Sequence, residues 1–462
     1  MTSTTEPLDA HPATEVGERR FPGANAKLMG AVLCVIGFGL VCWPSLLAGA
    51  LGLETLAAAF WWWARVAEDR AEQIPRWTWI RRPALALWLA CAFEALAATL
   101  PPGVLAGPGN LSPLITWTEA LAVAWAGLEL LAALPLARLF SDRPGPVIGP
   151  WLPVLLPAAG FLVLWRHVAQ WTSVPPVRNA VLVLVLVTAL LASLRAFGRL
   201  RIVASLRWLA VADCALAAAL VAMREVSLEV SMLLWLGACG GRAALLAGEL
   251  RGSAPRRSPA ASRLWRASGW TASAALSWPL IQALGFGHPR LAHPAWAVVA
   301  GVATALVAWT VVRRTVNLPE RRAVVRREPA IPVTQLAATM TLVAGPVALL
   351  VAWWTGFEAS WPTSILALAP ALIGGLLAWL RNRRGVVRLE SWVENAGPRL
   401  RALARGTFHG VVTLEQRLVR LVARIGLALI APTRDLHTGD AQEYLLFLVG
   451  LTVLALVLPL LG

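Results

Sequence analysis

The chain has 462 residues, of which 58% are hydrophobic and 14% are charged, and its mean hydropathy is +0.65. Apolar runs of about 20 residues recur from Lys27 to the C-terminus and predict an all-α polytopic membrane protein, while the lack of polar–apolar alternation argues against a β-barrel. The net charge of +16 does not indicate nucleic-acid binding, because the arginines lie mostly in loops between apolar runs, where they orient a membrane protein.

The N-terminal segment, residues 1–26, contains acids and prolines without an apolar core, which predicts a disordered cytoplasmic tail rather than a signal peptide. Residues 27–380 predict a transmembrane helical bundle. With one run near the C-terminus, the sequence predicts about thirteen transmembrane helices, including broken ones, near 27–48, 51–66, 83–100, 113–138, 147–166, 178–197, 206–223, 229–248, 267–286, 294–312, 333–355, 363–380 and 441–461.

The charges of the loops alternate along the chain. Loops 67–82, 196–205, 249–266 and 313–332 are rich in arginine, whereas 101–112 and 356–362 contain no basic residue. Because basic loops remain in the cytoplasm, this alternation predicts a multi-pass membrane protein with a cytoplasmic N-terminus and an external C-terminus.

The segment 381–436 departs from the pattern of the spans. It is basic, and its apolar residues recur at helical spacing on one face, which predicts an amphipathic lateral helix at the membrane surface or across neighbouring helices. Residues 437–462 then predict one C-terminal anchoring transmembrane helix.

A single carboxylate, Glu129, lies deep in the apolar run 113–138, ahead of a Pro/Gly hinge at Pro144–Pro146. A charged carboxylate inside a membrane costs several kcal/mol unless it is paired, hydrated or protonated, which makes Glu129 a candidate proton-binding residue. The alternative is a neutral, hydrogen-bonded glutamic acid at a helix interface.

Further candidates for a proton pathway are Glu94, two-thirds along its span, and Glu119, near a helix entrance. Glu119 and Glu129 are separated by about 15 Å along a helix axis, so only a water chain could link them.

Asp213 and the mid-span Arg242 are also candidates, and for an arginine–carboxylate pair a static buried salt bridge is the favoured interpretation. His288 is included with them, although the predicted topology places it in an outer loop. His167, at the end of a span, is likewise interpreted as a solvated loop residue.

Four segments carry a resemblance to a known family. GLELLAALPL, residues 127–136, is similar to a G-L-E-L-x-x-L-P-L helix, and PGPVIGPWLPVLLPAAGFLVLWR, residues 144–166, is similar to the segment that follows it. SLRWLAVAD, residues 205–213, resembles D-L-K-R-L-L-A-Y-S. LHTGDAQEYLLFL, residues 436–448, resembles L-Q-T-G-x-x-Q-x-Y. Together they resemble the antiporter-like membrane subunits of respiratory complex I (NADH:quinone oxidoreductase) and of Mrp-type cation/proton antiporters.

The resemblance implies a fold of many helices with a lateral helix, and ion transport with Glu129 as the buried glutamate. The departures from the family are specific: its lysine and histidine positions are occupied by Leu130 and Leu152. GGRAALLAGEL, residues 240–250, resembles the family's F-K-x-L-L-F-L-x-x-G helix, and Arg242 stands at the lysine of that motif. Lys27 is the only lysine in the chain. Fewer spans precede the matched region than in full-length relatives, so the chain resembles a divergent and truncated member.

The first hypothesis for function is therefore a membrane subunit of a complex I-like or Mrp-like complex that conducts protons or Na⁺, with other membrane subunits and the lipid bilayer as partners. The alternatives are a non-conducting structural subunit of the same fold, and a free-standing transporter or membrane-embedded lipid or glycan enzyme. The sequence contains no phosphate-binding loop, no nucleophile triad and no metal-ligand spacing, so no catalytic residue, metal or cofactor is predicted.

Overall fold

The structure is a computed structural model that describes residues 24–66, 78–99, 112–133, 152–199, 202–224, 227–250, 274–285, 294–316, 361–380 and 385–396, with the single positions 350, 398, 399, 402, 413, 417, 420, 421 and 424. Every secondary-structure element in these ranges is an α-helix, which confirms the all-α class for the described part of the chain.

The helices are numbered here in chain order. They are α1 Ala24–Val41, α2 Leu46–Val66, α3 Thr78–Thr99, α4 Ser112–Leu130, α5 Leu152–Arg166, α6 Val168–Thr172, α7 Pro175–Gly198, α8 Ile202–Met223, α9 Leu228–Leu250, α10 274–285, α11 Pro294–Val316, α12 Trp361–Trp379 and α13 385–396.

Five of the described helices are long and apolar enough to cross a membrane. The qualifying segments are Arg81–Thr99, Pro175–Gly198, Ala204–Met223, Pro294–Arg313 and Pro362–Trp379. The predicted spans 333–355 and 441–461 lie outside the continuously described ranges, so the count of about thirteen remains a prediction.

Helix α8 lies at the centre of the described bundle. It packs against α5, α7 and α9, and 89% of an 18-residue apolar stretch within this helix is buried. At its start, the hydroxyl of Ser205 donates a hydrogen bond of 2.7 Å to the carbonyl of Ala196, which fixes the short turn from α7. Near the same turn, the Arg195 guanidinium lies 4.5 Å from the ring centroid of Trp208.

Glycines bring three pairs of helices into close contact. In α1 and α2, a Cβ added to Gly52 would lie 2.8 Å from the carbonyl oxygen of Gly37. In α11 and α12, a Cβ on Gly374 would overlap the backbone of Ala305. Gly127 and Gly160 make the equivalent contact between α4 and α5. Small residues serve this purpose in membranes, where packing rather than hydrophobicity holds helices together.

Helix α13, the described start of the predicted lateral helix, is attached to the bundle by an arginine. Arg313 donates to Glu390 and Glu394 at 2.5 and 2.8 Å, and its guanidinium lies 4.7 Å from the ring centroid of Phe197. The placement of residue 313 in the loop 313–332 was therefore wrong, because α11 continues through Arg313 and buries it against α7 and α13.

Candidate functional site

Glu129 lies in the last turn of α4, which ends at Leu130. The prediction of a helix continuing to residue 138, with Glu129 in its middle, was therefore wrong. The N–H of Ala133 bonds to the carbonyl of Leu128 at 2.9 Å, and that of Ala132 to Glu129 at 3.2 Å. This is the Schellman pattern of a helix end, with Ala132 at φ 63° in the position that glycine normally occupies.

The Glu129 side chain is buried, with 3% of its surface exposed. The indole N–H of Trp125, one turn earlier, donates a hydrogen bond of 3.0 Å to Glu129 Oε2. An ionised carboxylate that is buried inside a membrane costs free energy. The Glu129 side chain is therefore expected either to exchange a proton or to be held by fixed hydrogen-bond partners.

Helix α5 packs directly against the end of α4 that carries Glu129. A Cβ on Gly160 would lie 2.7 Å from both Gly127 O and Leu131 N, and a Cβ on Gly127 would overlap the side chain of Leu164. The pairs 127/164 and 131/160 show that the two helices run antiparallel. The backbones of α4 and α5 are therefore in close contact at residues two positions before and after Glu129.

His167 occupies a break between α5 and α6. Its backbone angles, φ −102° and ψ 29°, are not helical. Its N–H bonds to Val163 O at 3.1 Å, while its carbonyl accepts from Gln170 N at 3.2 Å, the tighter spacing of a 3₁₀ turn. The indole of Trp171 donates to Leu164 O at 2.9 Å, which satisfies a carbonyl in the last turn of α5.

The interpretation of His167 as a solvated loop residue was wrong, because its side chain is 0% exposed. A Cβ on Gly49 of α2 would lie 3.1 Å from His167 Nε2 and 3.4 Å from Leu87 Cδ1, which places the imidazole beside α2 and α3. Neither ring nitrogen has a hydrogen-bond partner among the described residues.

The structure brings two of the predicted acids together at the other end of α4. Glu94 of α3 and Glu119 of α4 are close enough to interact electrostatically. Glu94 is exposed and Glu119 is half-buried, so Glu94 is open to the surroundings, unlike Glu129.

The remaining candidates are separate from this group or are not described. Asp213 is fully buried within α8. Arg242 lies on α9, but its side chain is outside the described part, so the proposed Arg242–carboxylate pair remains a prediction. His288 lies outside the described residues. No group of three or more metal-ligating side chains occurs in the searched, described residues.

We expect Trp125→Phe to lower the free energy of unfolding by about 1 kcal/mol, the typical net contribution of one hydrogen bond. The aromatic ring is kept, so the loss reports the bond to Glu129 Oε2 rather than packing. Unfolding of detergent-solubilised protein by SDS measures it. In a Glu129→Leu background, which has no acceptor for the indole N–H, the cost should fall toward zero, whereas an identical cost would show that the bond contributes nothing.

The five long apolar helices indicate an α-helical membrane protein, and α4 carries a buried carboxyl group, Glu129, in its last turn. No model of a known protein family matches the chain, and no curated protein matches it. The resemblance to antiporter-like subunits thus depends on the motifs quoted above.

Proposed function

We propose that the chain moves protons through the region of α4 and α5, with Glu129 as the proton-binding residue. The observation that carries the proposal is the buried Glu129 carboxyl at the end of α4, hydrogen-bonded to Trp125. An ionisable group inside a membrane costs free energy, so an acid at such a position usually has a function such as proton transfer.

The wider proposal follows the resemblance. The chain would be a divergent, antiporter-like membrane subunit of an NADH–quinone oxidoreductase-like or Mrp-like complex, with about thirteen spans and a cytoplasmic N-terminus in the inner membrane. Its partners would be other membrane subunits. The broken segment α5–α6 supports this proposal, because discontinuous helices are a common feature of ion-translocating proteins.

Proton flux into proteoliposomes tests the proposed function. A potassium diffusion potential drives the flux, and a pH-sensitive dye inside the vesicles measures it. We expect Glu129→Gln to lower the flux about 100-fold, because the amide cannot exchange a proton. Glu229→Gln, an exposed acid in the first turn of α9, should leave the flux unchanged. Wild-type flux equal to that of protein-free vesicles would refute conduction by the isolated chain.

The second candidate is a non-conducting structural subunit of the same fold, and the Arg313 ion pairs favour it. They attach α13 firmly to α11, as expected of a helix that braces neighbouring subunits. Absent flux combined with loss of subunit association in Arg313→Met would support this function. Flux that depends on Glu129 would contradict it.

A further inference from the structure

Two buried cysteines lie in contact between α8 and α9. Cys214 Sγ and Cys239 Sγ are 3.6 Å apart, and the two residues are 1% and 7% exposed. Ala210, Ala217 and Ala218, one turn before and after Cys214 on α8, are fully buried and carry only a methyl group, so α9 can lie close. Helix packing therefore holds together two thiols that are 25 residues apart in the sequence.

A tryptophan contacts one of these sulfur atoms. The indole N–H of Trp235, one turn before Cys239 on α9, donates a hydrogen bond of 3.3 Å to Cys214 Sγ. The ring of Phe161 on α5 stacks on the Trp235 ring, with the centroids 4.6 Å apart and the planes at 27°. Because an N–H donor stabilises an anion that it contacts, the indole favours negative charge on Cys214 Sγ, which a thiol must carry to act as a nucleophile.

We propose that Cys214 and Cys239 form a redox-active thiol pair, which a peroxide oxidises to a disulfide that joins α8 covalently to α9. A nucleophilic thiol beside a second, resolving thiol is the arrangement that directs oxidation by peroxide to a disulfide. The distance between the two sulfur atoms shortens from 3.6 Å to about 2.05 Å, through rotation about the two Cα–Cβ bonds and a small shift of α9.

The reaction consumes one hydrogen peroxide and releases two molecules of water. The Cys214 thiol gives up its proton, and its sulfur attacks one peroxide oxygen. An S–O bond forms, the O–O bond breaks, and the departing hydroxide takes up that proton. Cys239 Sγ then attacks Cys214 Sγ of the sulfenic acid, so the S–S bond forms as the S–O bond breaks, and the second hydroxide takes the proton of the Cys239 thiol. Each sulfur loses one electron, and the peroxide gains both.

The test exposes wild-type protein in lipid vesicles to hydrogen peroxide, removes the oxidant with catalase, and adds N-ethylmaleimide together with the denaturant. Trypsin cleavage after arginine then places Cys214 in the peptide 208–224 and Cys239 in the peptide 225–242. We expect mass spectrometry to find most of both peptides linked, with the loss of two hydrogen atoms, and dithiothreitol to separate them.

Three variants test the pairing and the role of the indole. Cys34→Ser removes a buried cysteine of α1 and should leave the linked peptides as abundant as in wild type, whereas Cys214→Ser should abolish them. Trp235→Phe keeps a ring that can stack on Phe161 but removes the indole N–H. We expect it to slow disulfide formation about tenfold, the lower end of the contribution of a hydrogen bond to a charged group.

Recovery of both cysteines of the wild type as maleimide-labelled thiols after peroxide treatment would overturn the proposal, because the two sulfur atoms would then only pack against each other. Recovery as sulfinic acids, or linkage of either residue to a different cysteine, would overturn it as well. A disulfide that forms in Trp235→Phe as fast as in wild type would overturn the role of the indole and keep the thiol pair. None of these measurements depends on proton flux, so their result is independent of the test of Glu129.

Discussion

Replacing Gly160 by alanine is expected to lower the free energy of unfolding by about 3 kcal/mol, the upper part of the range for overpacking a core. The new methyl group would lie 2.7 Å from Gly127 O and Leu131 N. Both are backbone atoms, so no side-chain rotation can relieve the overlap, and α4 and α5 must separate. Unfolding of the solubilised protein by SDS measures the loss.

Gly39→Ala is the matched control, because it makes the same chemical change in α1 where a Cβ meets nothing within 4 Å. We expect it to stabilise the protein by up to about 1 kcal/mol, since alanine favours a helix more than glycine does. Equal effects of the two variants would show that the contact between α4 and α5 is looser than described.

Replacing Arg313 by methionine is the second change with a large expected effect, a loss of about 3 kcal/mol. Removing one partner of a buried ion pair leaves an uncompensated charge, here on Glu390, and costs about 3–5 kcal/mol. The lower value applies because the second carboxylate, Glu394, is 40% exposed. We expect α13 to detach, which proteolysis at Arg388 would detect together with the shift in unfolding.

Two variants control for this effect. Arg388→Ala, an exposed arginine on the same helix as the two acids, should change stability by less than about 0.5 kcal/mol. Arg313→Met combined with Glu390→Leu should recover part of the loss, because the unpaired buried charge is then removed. A double variant less stable than Arg313→Met would argue that packing, not charge, holds α13.

Hydropathy predicted the existence of most described helices and the burial of Glu129, because both depend on local composition. It could not predict that α4 ends at Leu130. The stop depends on Ala132 adopting a positive φ within the run LLAALPL, and alanine carries no signal for that conformation. The end of α4 could therefore be located only from the structure.

His167 and Arg313 were missed for a related reason. Each is a basic side chain at the end of an apolar run, where loops normally begin. The burial of His167 depends on α6 continuing after the break and on glycine at position 49, and that of Arg313 depends on acids 77 and 81 residues later in the chain. The only sequence signal for His167 is the apolar VAQW that follows it, which continues the span.

Infrared difference spectroscopy during a pH change tests most directly whether Glu129 gains and loses a proton in the membrane. Our account predicts carbonyl stretching bands of buried carboxylic acids in wild-type protein and in Glu229→Gln, one component of which is missing in Glu129→Gln. Identical spectra for wild type and Glu129→Gln would contradict the account, because Glu129 would then not exchange a proton.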